Sequence, residues 1–267
     1  MSRKRILMCG PPEHYGVKYE INPWMKKSNQ PDRARVEMQW RSLKDALERS
    51  GVWVSLVGQL PNFPDMVFSA NAGIFNRNKN TVLLSRFRYP ERQGETPAFR
   101  DWFLSQGFNF KTLPSGIFFE GEGDALVFKD KFICGYGFRS DEAGGVLAAE
   151  FMELEPITLR LIDPHFYHLD TCFCPIPEKN LIMYYPPAFD SASCYIIETL
   201  GNIIRVSQKD ALGFVCNAVV LDSKLIATQV SLELKIELKK HGVETEGVNL
   251  SEFIKAGGAA KCLTLFI

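Results

Sequence analysis

Leu263-Thr264-Leu265-Phe266-Ile267 is an apolar strand that completes no hairpin of its own, and Arg5-Ile6-Leu7-Met8-Cys9 is an apolar strand that no hairpin claims. Between them one pattern recurs. An amphipathic helix ends, often near a glycine, an apolar strand follows, and a hairpin comes next. The helix-to-strand junctions read 47–51 into 52–57, 103–107 into 108–113, 151–154 into 157–162, 198–201 into 202–206 and 238–242 into 243–248. Helical periodicity before each junction and β-branched or apolar residues after it support the assignment.

Four hairpins follow, each made of apolar runs on either side of a polar turn: 72–75 with 81–84, 125–128 with 132–135, 171–174 with 180–184, and 218–221 with 224–227. The fifth is incomplete, and pairing 263–267 with 5–9 supplies its missing strand. That pairing closes a ring of five units and leaves no exposed sheet edge at the seam. The expected fold is α/β, a five-fold pseudosymmetric α/β-propeller occupying 1–267 as one domain, with the N- and C-terminal strands closing the ring. A doubly wound α/β sheet also alternates helices and strands. It does not explain a hairpin after every crossover, and Gly135-Tyr136-Gly137 lacks the rest of a phosphate-binding fingerprint.

Composition removes several classes of function. Of 267 residues, 46% are hydrophobic and 23% charged, and 31 Lys plus Arg balance 31 Asp plus Glu. This is neither a disordered tail nor a fibre. Zero formal charge gives no global attraction to nucleic acid or an anionic membrane, and no apolar run is long enough to span a bilayer. Met1-Ser2-Arg3-Lys4-Arg5-Ile6-Leu7-Met8 makes a poor signal peptide because Gly10-Pro11-Pro12 stops its apolar stretch early. The seven cysteines, an odd number, read as reduced and mostly buried thiols of a cytoplasmic protein. Cys172-Phe173-Cys174 with His168 lacks the second, separated ligand pair of a tetrahedral metal site, so neither a metal nor another cofactor is expected.

Just before the first hairpin strand of each unit stands a polar or reactive residue: Asn71, Asp124, His168 with Asp170, Asn217 and Cys262. In a closed ring these points converge near the axis, so residues far apart in sequence share one pocket. Cys262 follows Gly257-Gly258-Ala259-Ala260-Lys261, whose small residues permit close approach by a ligand. Lys261 stands ready to lower the thiol pKa unless it points elsewhere. His168 is preferred to His165 because Asp170, two residues on, suits fixing an imidazole. The run Phe119-Glu120-Gly121-Glu122-Gly123-Asp124 crowds carboxylates around flexible glycines and suits a cation. Asn71 sits in an apolar segment and needs partners, as does Asn22. Arg139 offers a rigid fork for a carboxylate. Taken singly, each residue also has a purely structural explanation.

The chain resembles the guanidino-group-modifying superfamily of pentein fold, closest to its arginine dihydrolase branch. The resemblance is carried by Tyr-Glu-Ile-Asn-Pro-Trp-Met at 19–25, Pro-Asp-Met-Val-Phe-Ser-Ala-Asn-Ala-Gly at 64–73, Phe-Glu-Gly-Glu-Gly-Asp-Ala-Leu at 119–126, Gly-Tyr-Gly-Phe-Arg at 135–139, His-Leu-Asp at 168–170 and Gly-Gly-Ala-Ala-Lys-Cys-Leu-Thr at 257–264. It implies Cys262 as nucleophile, His168 as general acid/base, Glu120 as the residue orienting the histidine and Asp124 as guanidinium anchor. Asn71 and Asn22 become amide contacts to the guanidino end, Arg139 a carboxylate contact and Asp170 a further substrate contact. Arginine deiminases carry aspartate at the position of Asn71, and the acidic loop is one residue longer than their Glu-Gly-Gly-Asp pattern. Both Glu120 and Glu122 therefore remain open as the partner of His168.

The implied activity is cysteine-dependent hydrolysis of arginine through a covalent thiouronium, giving ornithine, ammonia and carbon dioxide. The alternatives are dimethylarginine dimethylaminohydrolase, arginine deiminase, N-succinylarginine dihydrolase, amidinotransferase, and a catalytically silent propeller serving as an interaction module. The implied partner is a small guanidino substrate, with no nucleic acid or membrane involved. A homo-oligomer is compatible with the sequence.

Overall fold

The structure, a computed structural model, describes residues 4–267. β1 (Arg5–Cys9) pairs in parallel with β2 (Trp53–Val57), and the helix Arg33–Arg49 crosses between them. Asp32 caps that helix by accepting from Arg35 N, and Val36, Trp40, Leu43 and Leu47 form the buried stripe that packs it on the sheet. The remaining sheets share one plan. An antiparallel hairpin is followed by a helix and then a strand parallel to the second hairpin strand.

β3 (Gly73–Asn76) and β4 (Thr81–Leu84) pair with β5 (Asn109–Thr112) across the helix Glu95–Ser105. β6 (Ala125–Phe128), β7 (Lys131–Tyr136) and β8 (Glu155–Arg160) repeat the plan around Glu142–Met152. β9 (Phe173–Ile176), β10 (Leu181–Tyr184) and β11 (Asn202–Arg205) do so around Ser191–Leu200. β12 (Val219–Leu221), β13 (Lys224–Ala227) and β14 (Glu244–Gly247) do so around Leu232–Lys240. β15 (Leu265–Phe266) lies antiparallel to β1, with Ile6 opposite Phe266 and Leu7 opposite Leu265. The five three-stranded sheets and the closing pair agree with the propeller expected from sequence.

The middle strand of each sheet is mostly buried, whereas every residue of the outer strand β5 is exposed. The inner strands β3, β6, β9, β12 and β15 line the ring axis. One end of that axis opens into a cavity of about 630 Å³ walled mainly by apolar side chains.

Several boundaries differ from the sequence reading by a residue or more, and three of the shifts have a visible cause. β8 begins at Glu155 rather than 157, because Glu153 takes a left-handed conformation (φ 60°) and ends the helix sharply. β9 starts at Phe173 because Leu169–Thr171 forms a tight turn ahead of it. Only Leu265 and Phe266 of 263–267 form the closing strand, since Leu263 N and Thr264 N bond back into the preceding turn.

Leu265 is fully buried at the seam. Leu265→Ala is expected to lower unfolding free energy by about 2–5 kcal/mol in urea denaturation. The control Leu104→Ala, at a position 49% exposed, is expected to change it little.

Candidate active site

The five positions singled out before the inner strands are all buried. Asn71, Asp124, His168, Asp170, Asn217 and Cys262 are each at most 2% exposed. Short turns present three of them, at Ser69–Ala72, Gly121–Gly123 and Leu169–Thr171.

Two glycines make the acidic turn fit. Gly121 has φ 64°, and a Cβ there would lie 2.6 Å from the carbonyls of Ala70 and Gly73. A Cβ on Gly123 would lie 2.2 Å from Asn71 Nδ2 and 3.4 Å from the His168 ring. The turns of adjacent units therefore touch backbone to side chain.

Cys262 Sγ donates toward Asp170 Oδ2 at 3.2 Å and accepts from Asn217 Nδ2 at 3.1 Å. Asn217 also donates to the Asp170 carbonyl at 3.1 Å, and its Oδ1 accepts from the backbone N–H groups of Ala259 (2.9 Å) and Cys262 (3.1 Å). One amide thus joins the thiol, the glycine-rich loop and Asp170. Burial, and then the Asp170 carboxylate, push the Cys262 thiol well above the ordinary range. Burial likewise raises Asp170 to about 7 against the pull of Lys261, the thiol and Asn217. In the free protein the thiol is protonated.

His168 Nε2 lies 2.8 Å from Glu120 Oε2 and 3.9 Å from Asp124 Oδ2. Burial works to raise the Glu120 pKa, but Arg139 and His168 overcome it and hold the carboxyl well below the usual range. An ionised Glu120 only accepts, so Nε2 carries the proton and Nδ1 is the basic nitrogen. Arg139 Nη1 pairs with Glu120 at 3.2 Å and Nη2 donates to the Ile21 carbonyl at 3.1 Å. The Arg139 guanidinium lies 4.6 Å from the rings of both Tyr89 and Tyr167.

Glu122 turns away from the histidine. It pairs with Lys261 Nζ at 2.7 Å and accepts from Phe266 N at 3.2 Å. The choice between the two glutamates falls on Glu120, and Lys261 points toward Glu122 rather than the thiol.

Two other expected site residues carry structural bonds. Asp124 has its Oδ2 accepting from Ser140 Oγ at 2.6 Å and its Oδ1 accepting from Leu169 N at 3.0 Å, so it braces the turn carrying His168. Burial lifts it to about 6. Asp170, not Asp124, is the carboxylate against the thiol. Asn22 accepts from Trp24 N and Met25 N and donates to the Ala256 carbonyl, so its amide shapes the loop 19–25 and ties it to the glycine-rich loop.

Asn71 donates to the Glu120 carbonyl at 3.0 Å and accepts from Arg92 Nη1 at 2.8 Å. Arg92 is buried in a two-pronged pair with Glu95, both contacts 2.8 Å. Beside it Asp65 and the Tyr19 hydroxyl are buried and act on one another, while Asp65 Oδ1 and the hydroxyl oxygen reach no other side chain. Burial raises Asp65, and it raises Glu95 to about 7, with Arg92 opposing in both cases. Sequence reasoning did not find Arg92, Glu95 or a role for Asp65. Arg92 and Glu95 look like an ordinary surface pair three residues apart, and only tertiary structure buries them.

Cys172 Sγ faces the carbonyls of His168 and Leu169. Among the described residues no three His, Cys, Asp or Glu side chains are grouped to hold a metal ion, and no helix is long and apolar enough to cross a membrane. All seven cysteines are unpaired.

The two contacts to Cys262 Sγ act in opposite directions, and alkylation rates report it. Asp170→Asn removes a charge that opposes the thiolate and is expected to speed iodoacetamide alkylation of Cys262 at pH 8 roughly tenfold. Asn217→Ala removes a donor to sulfur and is expected to slow it. Peptide mass analysis of the alkylated protein checks both.

A family profile described as N,N dimethylarginine dimethylhydrolase, eukaryotic, matches residues 17–267. The bifunctional arginine dihydrolase/ornithine cyclodeaminase ArgZ of Synechocystis sp. is 45% identical over 98% of this chain. The chain spans only 37% of that relative's length. The N(G),N(G)-dimethylarginine dimethylaminohydrolase of Mycobacterium tuberculosis is 35% identical, over 99% of this chain and 86% of its own. The N-terminal domain of ArgZ superposes with a TM-score of 0.93 at 44% identity, covering 98% of this chain and 97% of that one. It has been solved as a Cys-to-Ser variant bound to substrate and as an Asn-to-Ser variant covalently bonded to a reaction intermediate. With five sheets around one axis and a buried thiol, imidazole and carboxylates at its end, the chain belongs to this pentein-fold family of guanidino-modifying enzymes.

Proposed function

We propose that the chain is a cysteine-dependent arginine dihydrolase whose five units act as one catalytic domain. What carries this reading is the 3.2 Å contact between Cys262 Sγ and Asp170 Oδ2, placed in the same turn as a His168 held by Glu120. The central carbon of guanidinium is unreactive, so attack needs a thiolate together with an anion to hold the cation. Asp170 supplies that anion. A guanidinium that binds it cancels the charge opposing the thiolate, so substrate itself favours ionisation of Cys262. That the N-terminal domain of ArgZ has been solved covalently bonded to a reaction intermediate supports a covalent route.

In the first cycle Cys262 sulfur adds to the guanidino carbon, and its proton passes through His168 to the departing nitrogen, which leaves as ammonia. Nδ1 is the nitrogen that moves this proton, since Nε2 stays with Glu120. Water then adds to the thiouronium, His168 takes its proton, and the C–S bond breaks to give a ureido group. In the second cycle Cys262 attacks the ureido carbon and a second ammonia departs. Hydrolysis of the resulting thiocarbamate frees a carbamic acid, which falls to ornithine and carbon dioxide.

Asn71 favours this second cycle, because an amide donates to a neutral ureido group and a carboxylate does not. Arg139, whose guanidinium lies against the Tyr89 and Tyr167 rings, suits the substrate carboxylate. Seven unpaired cysteines support a reducing, cytoplasmic setting.

The family profile favours a second substrate, dimethylated arginine. Incubation with arginine and with dimethylarginine, followed by mass analysis, separates the two readings. Ornithine from arginine is expected, and citrulline with dimethylamine as the dominant outcome would replace the dihydrolase reading. Cys262→Ala is expected to abolish turnover, and unchanged turnover would remove the mechanism. Asn71→Asp is expected to retain the first cycle and accumulate citrulline.

Asp170 protonates as pH falls through about 7, so the acid limb of kcat/KM is expected near that pH, with activity lost below it. A pH–rate profile measured at low substrate reads it.

A further inference from the structure

We propose that Ser140 is a positioning residue of His168: its hydroxyl occupies Asp124 Oδ2, so that the imidazole pairs with Glu120 alone and stays aligned for proton transfer. The inference rests on the reading of His168 as the proton carrier and adds to it what keeps that group in place.

Two buried carboxylates stand near His168 Nε2, with Glu120 Oε2 at 2.8 Å and Asp124 Oδ2 at 3.9 Å. Nε2 carries one proton, so the oxygen that receives it sets the tilt of the ring. Ser140 is 2% exposed and reaches both acidic residues through one atom. Its Oγ accepts from Glu120 N at 2.9 Å and donates to Asp124 Oδ2 at 2.6 Å. A backbone N–H only donates, so the serine oxygen must accept there, and its single proton is left for the carboxylate.

The consecutive residues Arg139 and Ser140 thus grip Glu120 at both ends. Arg139 Nη1 reaches Oε2 at 3.2 Å, Ser140 takes the backbone N–H, and Arg88 N donates to Oε1 at 3.1 Å. Asp124 Oδ1 is held by Leu169 N at 3.0 Å, one residue beyond the histidine. Oδ2 is therefore the oxygen whose partner decides the outcome. Without the hydroxyl, Glu120 N and Asp124 Oδ2 both lose a partner in a buried setting. The imidazole N–H, 3.9 Å from Oδ2, answers that second demand by swinging away from Glu120.

The test uses the ring itself as the probe. Nitrogen-15 NMR at mildly alkaline pH follows the Nε2 proton, whose bond to Glu120 is expected to give a downfield signal in the wild-type protein. Ser140→Ala is expected to shift or broaden that signal and to lower kcat for arginine roughly tenfold or more, with KM changed less. Ser140→Thr keeps the hydroxyl and is expected to preserve both readings. Adding Asp124→Asn to Ser140→Ala sets an amide where the competing oxygen stood, while its carbonyl still accepts from Leu169 N. This double variant is expected to return the signal and part of kcat toward wild type, whereas two purely structural losses accumulate.

Ser140→Cys, close in volume but a weak donor, takes the place of Ser140→Ala if the latter does not fold. A wild-type protein inactive on arginine overturns the proposed function and leaves the His168 signal readable. A folded Ser140→Ala, or its cysteine replacement, with an unmoved Nε2 signal overturns the role of Ser140. So does a folded double variant no closer to wild type than the single one.

Discussion

Pairing of Leu265 and Phe266 with Leu7 and Ile6 is the constraint on which the remaining geometry depends. The chain reaches the ring axis at the end of every unit, but Cys262 belongs to the last unit and His168 to the middle one. Only closure of the seam sets both at the same end of the axis. The pairing is short, and side-chain burial compensates for its length. Leu7 and Leu265 are fully buried, and Ser69 Oγ bridges the carbonyls of Leu7 and Leu263. The turn before β3 is thereby fastened to both ends of the described chain. Ala70 N bonds to the Cys262 carbonyl at 3.0 Å, which carries the same fastening to the nucleophile.

Burial then decides the electrostatics. Asp65, Glu95, Glu120, Glu122, Asp124 and Asp170 are all buried, and the buried cations facing them are Arg92, Arg139 and Lys261. Carboxylates outnumber cations, and the imbalance appears as raised proton affinity at Asp65, Glu95, Asp124 and Asp170. Glu120 goes the other way, because Arg139 and His168 both face it. A site short of positive charge in a low-dielectric setting favours a cationic ligand. It also leaves the thiol protonated until that ligand arrives, which protects the nucleophile from chemistry with other electrophiles.

The repeats were legible because each hairpin buries most residues of its inner and middle strands, so apolar runs mark them directly. The reactive positions were legible for the same reason: a polar residue at the foot of an apolar run has few explanations. The choice between Glu120 and Glu122 was not legible. They are two residues apart in a glycine-rich turn, and which faces the histidine depends on the left-handed Gly121 and on Lys261 reaching Glu122 from the other end of the chain. Arg92 and Glu95 were hidden because their spacing is that of any solvated helix. The substrate roles of Asp124 and Asn22 came from the resemblance, and sequence does not show that both side chains also carry structural hydrogen bonds.

That occupancy gives Asn71 its significance. Its amide is pinned at both ends, with Nδ2 on the Glu120 carbonyl and Oδ1 on Arg92. The amide therefore cannot rotate to exchange donor for acceptor, and one N–H remains uncommitted in a fixed setting. A carboxylate at this position keeps the Arg92 contact but loses the donation to Glu120, whose carbonyl is buried and then lacks that partner. Because Glu120 holds His168, a change at Asn71 reaches the imidazole without touching it. Arg92, Asn71, Glu120 and His168 form one continuous line of contacts that ends at the proton-transferring imidazole. On the dihydrolase reading proposed above, the amide at position 71 acts at both places at once: it presents a donor suited to a neutral ureido oxygen, and it steadies the base that works a second time on the same substrate.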